Sequence, residues 1–105
     1  MRKITRDALA AFVEGVPFNR DNTSVTHCKD TGVTCLLLHG NKIARWNTFS
    51  YYATLEICDG GWQTVTTKER LNGITGVSIT QKNWVWYLNG AEWSGEWTKV
   101  HPEMS

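Results

Sequence analysis

The dipeptide Asn89-Gly90 constrains this chain more than any other feature. It follows Trp84-Val85-Trp86-Tyr87-Leu88, a run of aromatic and branched residues that suits a strand. A two-residue hairpin loop of type I′ needs positive φ at both central residues, and asparagine followed by glycine supplies it with little strain. The chain is therefore expected to double back here as an antiparallel hairpin. Similar punctuation recurs upstream. Lys29-Asp30-Thr31-Gly32 is turn chemistry. Gly40-Asn41 reads as a second two-residue hairpin loop. Asp59-Gly60-Gly61 breaks a strand, and Ser94-Gly95 bends the last stretch, which holds Trp93 and Trp97.

Between these breaks lie short β-type segments. Residues 23–28 alternate, with Thr23, Val25 and His27 on one face. Val33-Thr34-Cys35-Leu36-Leu37-Leu38-His39 has leucines on both faces, as in a central strand buried on both sides at its middle. Residues 42–46 return antiparallel, Asn47-Thr48-Phe49-Ser50 loops, and 51–58 alternate with Tyr51, Ala53, Leu55 and Ile57 facing one way. Residues 18–22 read as a polar connection. Val77 and Ile79 point inward from another strand, and Gln81-Lys82-Asn83 turns the chain into the one that starts at Trp84.

Two helices are expected. Residues 6–14 carry Thr5 as N-cap, Asp7 in the first turn and an Ile4–Leu9 staple. Leu9, Phe12, Val13 and Val16 make an apolar stripe for docking on a sheet, Gly15 ends the helix, and Pro17 prevents its continuation. Thr66-Thr67-Lys68-Glu69 matches a capping box for a short second helix ending near Asn72-Gly73, anchored by Leu71 and Ile74. The expected fold is α+β: an antiparallel sheet of about five to seven strands with the N-terminal helix and the short second helix packed on it. Without linker, repeat or low-complexity tract, residues 1–105 read as a single domain whose tails, 1–4 and 101–105, fray.

Composition narrows function by exclusion. Eleven basic residues against ten acidic ones leave a net charge of +1, so a nucleic-acid or membrane contact would need a local patch, and a DNA mimic is excluded. Cys28, Cys35 and Cys58 form neither a zinc pattern nor a complete disulfide framework, and read as small reduced core residues. No apolar run reaches the length of a membrane span, and the N-terminus lacks the apolar region of a signal peptide.

Gly61-Trp62-Gln63-Thr64, Thr66-Thr67-Lys68-Glu69-Arg70-Leu71-Asn72-Gly73, Gln81-Lys82-Asn83 and Trp86-Tyr87-Leu88-Asn89-Gly90, with Leu38-His39-Gly40-Asn41-Lys42-Ile43-Ala44, span most of the chain. Together they resemble a family of short tailed-bacteriophage proteins grouped as a domain of unknown function. The resemblance carries over no catalytic or binding residue. It implies a phage accessory protein made in the cytoplasm of a host bacterium.

No nucleophile elbow, phosphate-binding loop or metalloprotease motif is present, and no enzyme activity, cofactor or metal is expected. His27, Cys28, Cys35 and His39 fall on paired segments, yet adjacent His27 and Cys28 face opposite ways, which opposes a shared metal. Gly60-Gly61 ahead of a threonine-capped helix suggests a weak anion site. Six tryptophans are more than a chain this size buries fully. The expected contact set is Trp62, Lys68, Arg70, Lys82, Trp84 and Trp86. Its expected partner is a protein of host or phage, engaged to modulate host machinery or defence, because partly exposed tryptophan is what interface hot spots are made of. One alternative is single-stranded nucleic acid, stacked on the indoles beside the cations; another is a structural protein that self-associates into a homodimer through an uncovered edge strand or exposed tryptophans.

Overall fold

In a computed structural model that describes residues 2–47, 54–74 and 76–100, two helices and nine strands form two antiparallel sheets. Helix α1 (Lys3–Glu14) leads into strands β1 (Phe18–Arg20), β2 (Thr23–His27), β3 (Val33–Leu38), β4 (Asn41–Asn47) and β5 (Thr54–Ile57). Helix α2 (Val65–Asn72) follows, then β6 (Ile79–Lys82), β7 (Val85–Leu88), β8 (Ala91–Glu92) and β9 (Thr98–Val100). The larger sheet runs β1-β2-β3-β4-β5-β9, a meander closed by the returning last strand, and the smaller runs β6-β7-β8. The α+β reading holds, and the main sheet has six strands. The three-stranded second sheet adds to it. Among the described residues, no helix is long and apolar enough to cross a membrane.

Register assigns the faces, because directly opposed residues share a side. Val25, Leu36, Ala44 and Ile57 lie in one row and are all buried. The helices cover this face. Leu36 at the centre is fully buried, worth about 1.5–3 kcal/mol relative to exposure. The opposite row, Thr26, Cys35, Arg45, Glu56 and Lys99, carries an Arg45–Glu56 ion pair at 3.2 Å. A bulge between Leu36 and Leu37 lets the consecutive Ile43 and Ala44 both reach the interior. One hydrophobic cluster joins both sheets, from Leu9 and Phe12 to Trp86 and Trp93.

Several expectations shift. Helix α1 starts at Lys3, so Thr5 is an interior residue, fully buried, and the cap and staple at that end do not form. The buried stripe is Thr5, Ala8, Leu9 and Phe12, while Val13 is 68% exposed. Small residues win because the helix lies close on β2 and β3. Gly15 does end it, left-handed at φ 73°. The β3–β4 hairpin loop is His39-Gly40, not Gly40-Asn41, with φ of 52° and 79°, and Asn41 already pairs with Leu38. Residues 18–20 are a strand, not a connection. The loop at 48–50, the first part of the expected strand at 51–58, and the tail 101–105 fall outside the described residues.

Helix α2 is capped two residues earlier than the Thr66 box predicts. Thr64 Oγ1 accepts from the Thr67 amide at 3.1 Å, and Glu69 is drawn away to Thr5 and Arg70. Gly73 closes the helix in a right-handed conformation, so positive φ is not why glycine stands there. A Cβ at Gly73 would sit 2.4 Å from Leu9 Cδ1 and 3.1 Å from Thr5 Cγ2, so its absence lets the two helices meet.

Candidate functional site

The turn after β5 organises the surface. The Asp59 amide donates to Gly95 O at 2.9 Å, and its Oδ1 accepts from the Gly61 amide at 2.7 Å. Trp62 N donates to Asp59 O at 3.2 Å, and Gln63 Nε2 to Ser94 O at 3.3 Å. Gly95, at φ 96°, must lack a side chain: a Cβ there would stand 2.0 Å from the Asp59 carboxylate. Residues 59–63 are thus pinned to the bend before β9, and the Trp62 ring projects from them 67% exposed.

Three hollows meet around this turn. One of about 420 Å³ lies between the β3–β4 hairpin and the start of α2, lined by Leu38, His39, Ile43, Asp59, Trp62 and Thr66. A second, about 480 Å³, flanks the small sheet and is lined by Gln63, Trp84, Trp86, Glu92, Trp93 and Glu96. The third, about 590 Å³, lies over the open sheet face with Arg45, Asp59, Glu96 and Trp97. Consecutive residues Trp62 and Gln63 thus face different hollows.

Above the second hollow stands the β6–β7 turn. Lys82 pairs with Val85, so the loop is Asn83-Trp84, one residue beyond the expected turn. Both have positive φ, 51° and 69°, the type I′ pattern. The His39-Gly40 and Asn89-Gly90 loops share that pattern and place glycine second. Here the second residue is tryptophan. A bulky side chain at positive φ is a genuine outlier, and the Trp84 ring is 90% exposed, so packing does not hold it there. Trp86 and Trp93 stack beneath it, 6.2 Å between centroids and 28° apart, both buried.

The expected contact set divides. Trp62, Trp84 and Lys82 are exposed, and Lys68 is half-buried with Nζ 3.5 Å from Gln81 Oε1. Trp86 and Arg70 are each 2% exposed and leave the set as surface contacts. Trp86 alternates inward with Leu88 on β7. Arg70 is held from several elements: Nε donates to Thr23 Oγ1 at 3.1 Å, Nη1 to Thr5 Oγ1 at 2.8 Å and to the Glu69 carboxylate, and Nη2 to Asn22 Oδ1 at 3.5 Å. The Thr5 hydroxyl in turn donates to Glu69, and Thr23 to Asn22 at 2.9 Å. Burial pushes the Glu69 carboxyl up, but the Thr5 and Arg70 hydrogen bonds, the Arg2 amide and the guanidinium charge outweigh it and hold the group below its usual 4.5. No buried polar side-chain atom among the described residues lacks a partner. Arg70 is a bolt through the core, not a surface cation.

A family model described as Kyanoviridae Gp96 protein matches residues 1–101. The chain belongs to that family. It is a phage protein, as the resemblance implies. No curated protein and no solved structure matches it.

The structure removes the anion site expected at Gly60-Gly61. The Gly61 amide is already taken by Asp59, whose carboxylate repels an anion at the same place. His27 Nδ1 lies 2.8 Å from Thr34 Oγ1, and Thr34 is fully buried, so the pair is structural. Cys28 departs from the expected core role: it is exposed, and hydrogen bonds from Thr31 and the Asp30 amide hold its thiol below the ordinary value. Cys35 and Cys58 are buried, and burial pushes the Cys58 thiol up.

Proposed function

We propose that this phage protein is a non-enzymatic binding protein that works in the cytoplasm of the host bacterium. Its Trp62 and Trp84 surface docks on a host or phage protein, and docking modulates host machinery or defence. The observation that carries this reading is Trp84 itself. A large ring occupies a left-handed turn position suited to glycine and lies 90% exposed, so folding gains nothing from it. Backbone outliers persist where function needs them. Trp62, also exposed, projects from a turn fixed by four hydrogen bonds from Asp59 to Gln63, which presents the ring at little ordering cost. Carboxylates at Asp59, Glu92 and Glu96 border the hollows beside these rings, and they disfavour a phosphate backbone.

The test is comparative capture from phage-infected cells with wild-type protein and the Trp62→Ala/Trp84→Ala double variant. The expected result is a protein retained by the wild type and lost with the double variant, whose far-UV circular dichroism and unfolding midpoint stay close to wild type. Identical captured sets would overturn the proposal. Capture of nucleic acid alone, sensitive to nuclease, would do so as well.

A further inference from the structure

The described residues include two complete sets of an aromatic ring, an arginine and a carboxylate. Arg45 Cζ sits 4.0 Å from the centre of the Trp97 ring, and its Nε lies 3.2 Å from Glu56 Oε1. Arg20 Cζ sits 5.1 Å from the Phe18 ring, with Nη1 2.8 Å from Asp7 Oδ2. A guanidinium suits this arrangement because it is planar: its face lies on a ring while its edge donates to a carboxylate.

The hollow beside Trp84 has two of the three components. Trp84 offers an open indole face, Glu92 and Glu96 are exposed carboxylates, and Gln63 and Ser94 add polar groups. Among the described residues, no lysine or arginine lines it. Neither glutamate forms a salt bridge with another described residue, although Glu96 also borders the hollow that holds Arg45. The floor, Trp86 stacked on Trp93, is buried and packed, so the hollow is formed before anything enters it.

We infer that the hollow lined by Trp84, Glu92 and Glu96 receives an arginine side chain from a basic segment of the partner protein. The inference rests on the protein-docking reading above and assigns that surface its partner chemistry. The guanidinium lies on the Trp84 indole and its edge donates to the glutamates, completing the set already present at Trp97 and Phe18. An acidic segment is repelled from the hollow.

The full chain, ¹⁵N-labelled, is titrated with an acetylated hexapeptide alternating glycine and arginine, with the glycine–glutamate counterpart, and with oligothymidylate. The arginine peptide is expected to shift the Trp84 indole N–H and the amides of residues 92–96 saturably, and less so as salt is raised. Trp84→Gly should weaken binding about fivefold, the size of one cation–π contact. Glu92→Gln/Glu96→Gln should weaken it several-fold, and both altered sites are exposed, so the fold is retained. An absence of saturable shifts up to millimolar peptide overturns the inference. Equal shifts from the glutamate peptide or from oligothymidylate overturn it too, as does binding indifferent to the glutamine pair. If partner capture is lost with the tryptophan variants but unchanged in the glutamine pair, protein docking stands and the arginine assignment falls.

Discussion

Arg70 and Trp84 come from one stretch of sequence and end in opposite surroundings, 2% and 90% exposed. A charged residue lies in the interior, and a large aromatic one lies outside it. Each reversal has a local cause. Arg70 is buried because Thr5, Thr23, Asn22 and Glu69 satisfy its donors, and a paired, hydrogen-bonded charge tolerates the loss of water. Trp84 is outside because a two-residue turn points its second side chain away from both strands. The contrast separates residues that hold the fold from residues the fold holds out.

The largest expected effect lies at the buried end. Arg70→Ala leaves Glu69 without its counter-charge and Thr23 Oγ1 without the guanidinium donor it accepts from, in a site where α1, β2 and α2 converge. Breaking a buried pair from one side costs about 3–5 kcal/mol, and urea unfolding should show that loss with the slope unchanged. A loss below about 1 kcal/mol would mean that water or a neighbour takes over the role of Arg70, and the distinction between the two residues would blur.

How far the sequence discloses this arrangement depends on the range of the interaction. The Asn89-Gly90 turn, the stop at Gly15 and the inward Leu71, Ile74, Val77 and Ile79 follow from chemistry within a few residues, and the structure has them all. The α1 stripe is misphased because Val13 and Val16 are more hydrophobic than Thr5 and Ala8. What selects the buried side is how closely the sheet approaches, which is a tertiary fact. Arg70 is the extreme case: its hydroxyl partners lie in α1 and β2, far away along the chain, and nothing near residue 70 announces them. Of the site, Trp62 and Trp84 are recognisable as surplus aromatics. The carboxylates opposite Trp84 lie on β8 and the bend after it. The Asn89-Gly90 hairpin pairs Glu92 with Tyr87, while Glu96 is placed through tertiary contacts such as the stacking of Trp86 on Trp93.

Acid should probe the same bolt more gently. Glu69 is held below its usual value in the folded state, so the folded protein binds this proton less readily than the unfolded chain does. Its contribution is fully present above the unfolded value of 4.5 and is lost as pH falls through the lower folded value. Glu69→Gln keeps an acceptor and removes the charge, and should destabilise at pH 7 by about 1–3 kcal/mol. The gap between wild type and variant should then close toward pH 3, as the wild-type carboxyl becomes neutral. Asp7 is also held low, chiefly by its hydrogen bond from Arg20, but it titrates in both proteins and cancels from the difference. A gap independent of pH in unfolding titrations would show that the Glu69 charge is not what Arg70 needs.

The smallest effect is the one that most sharpens the contrast. Trp84→Gly relieves a left-handed residue of its Cβ clash, worth about 1–2 kcal/mol. Glycine's greater freedom in the unfolded chain takes back about 0.4–1 kcal/mol. The net is a gain of about 0.5 kcal/mol, readable as a rise of a few degrees in Tm. Trp84→Ala keeps a Cβ at φ 69° and should leave Tm near the wild-type value, so the two variants together separate backbone strain from ring packing. A loss of stability in both would mean that the indole packs on the hollow beneath it and stands outside for the sake of the fold. A gain with glycine, alongside loss of partner capture, would mean that the protein keeps a strained tryptophan for what it touches, just as it keeps Arg70 for what it holds together.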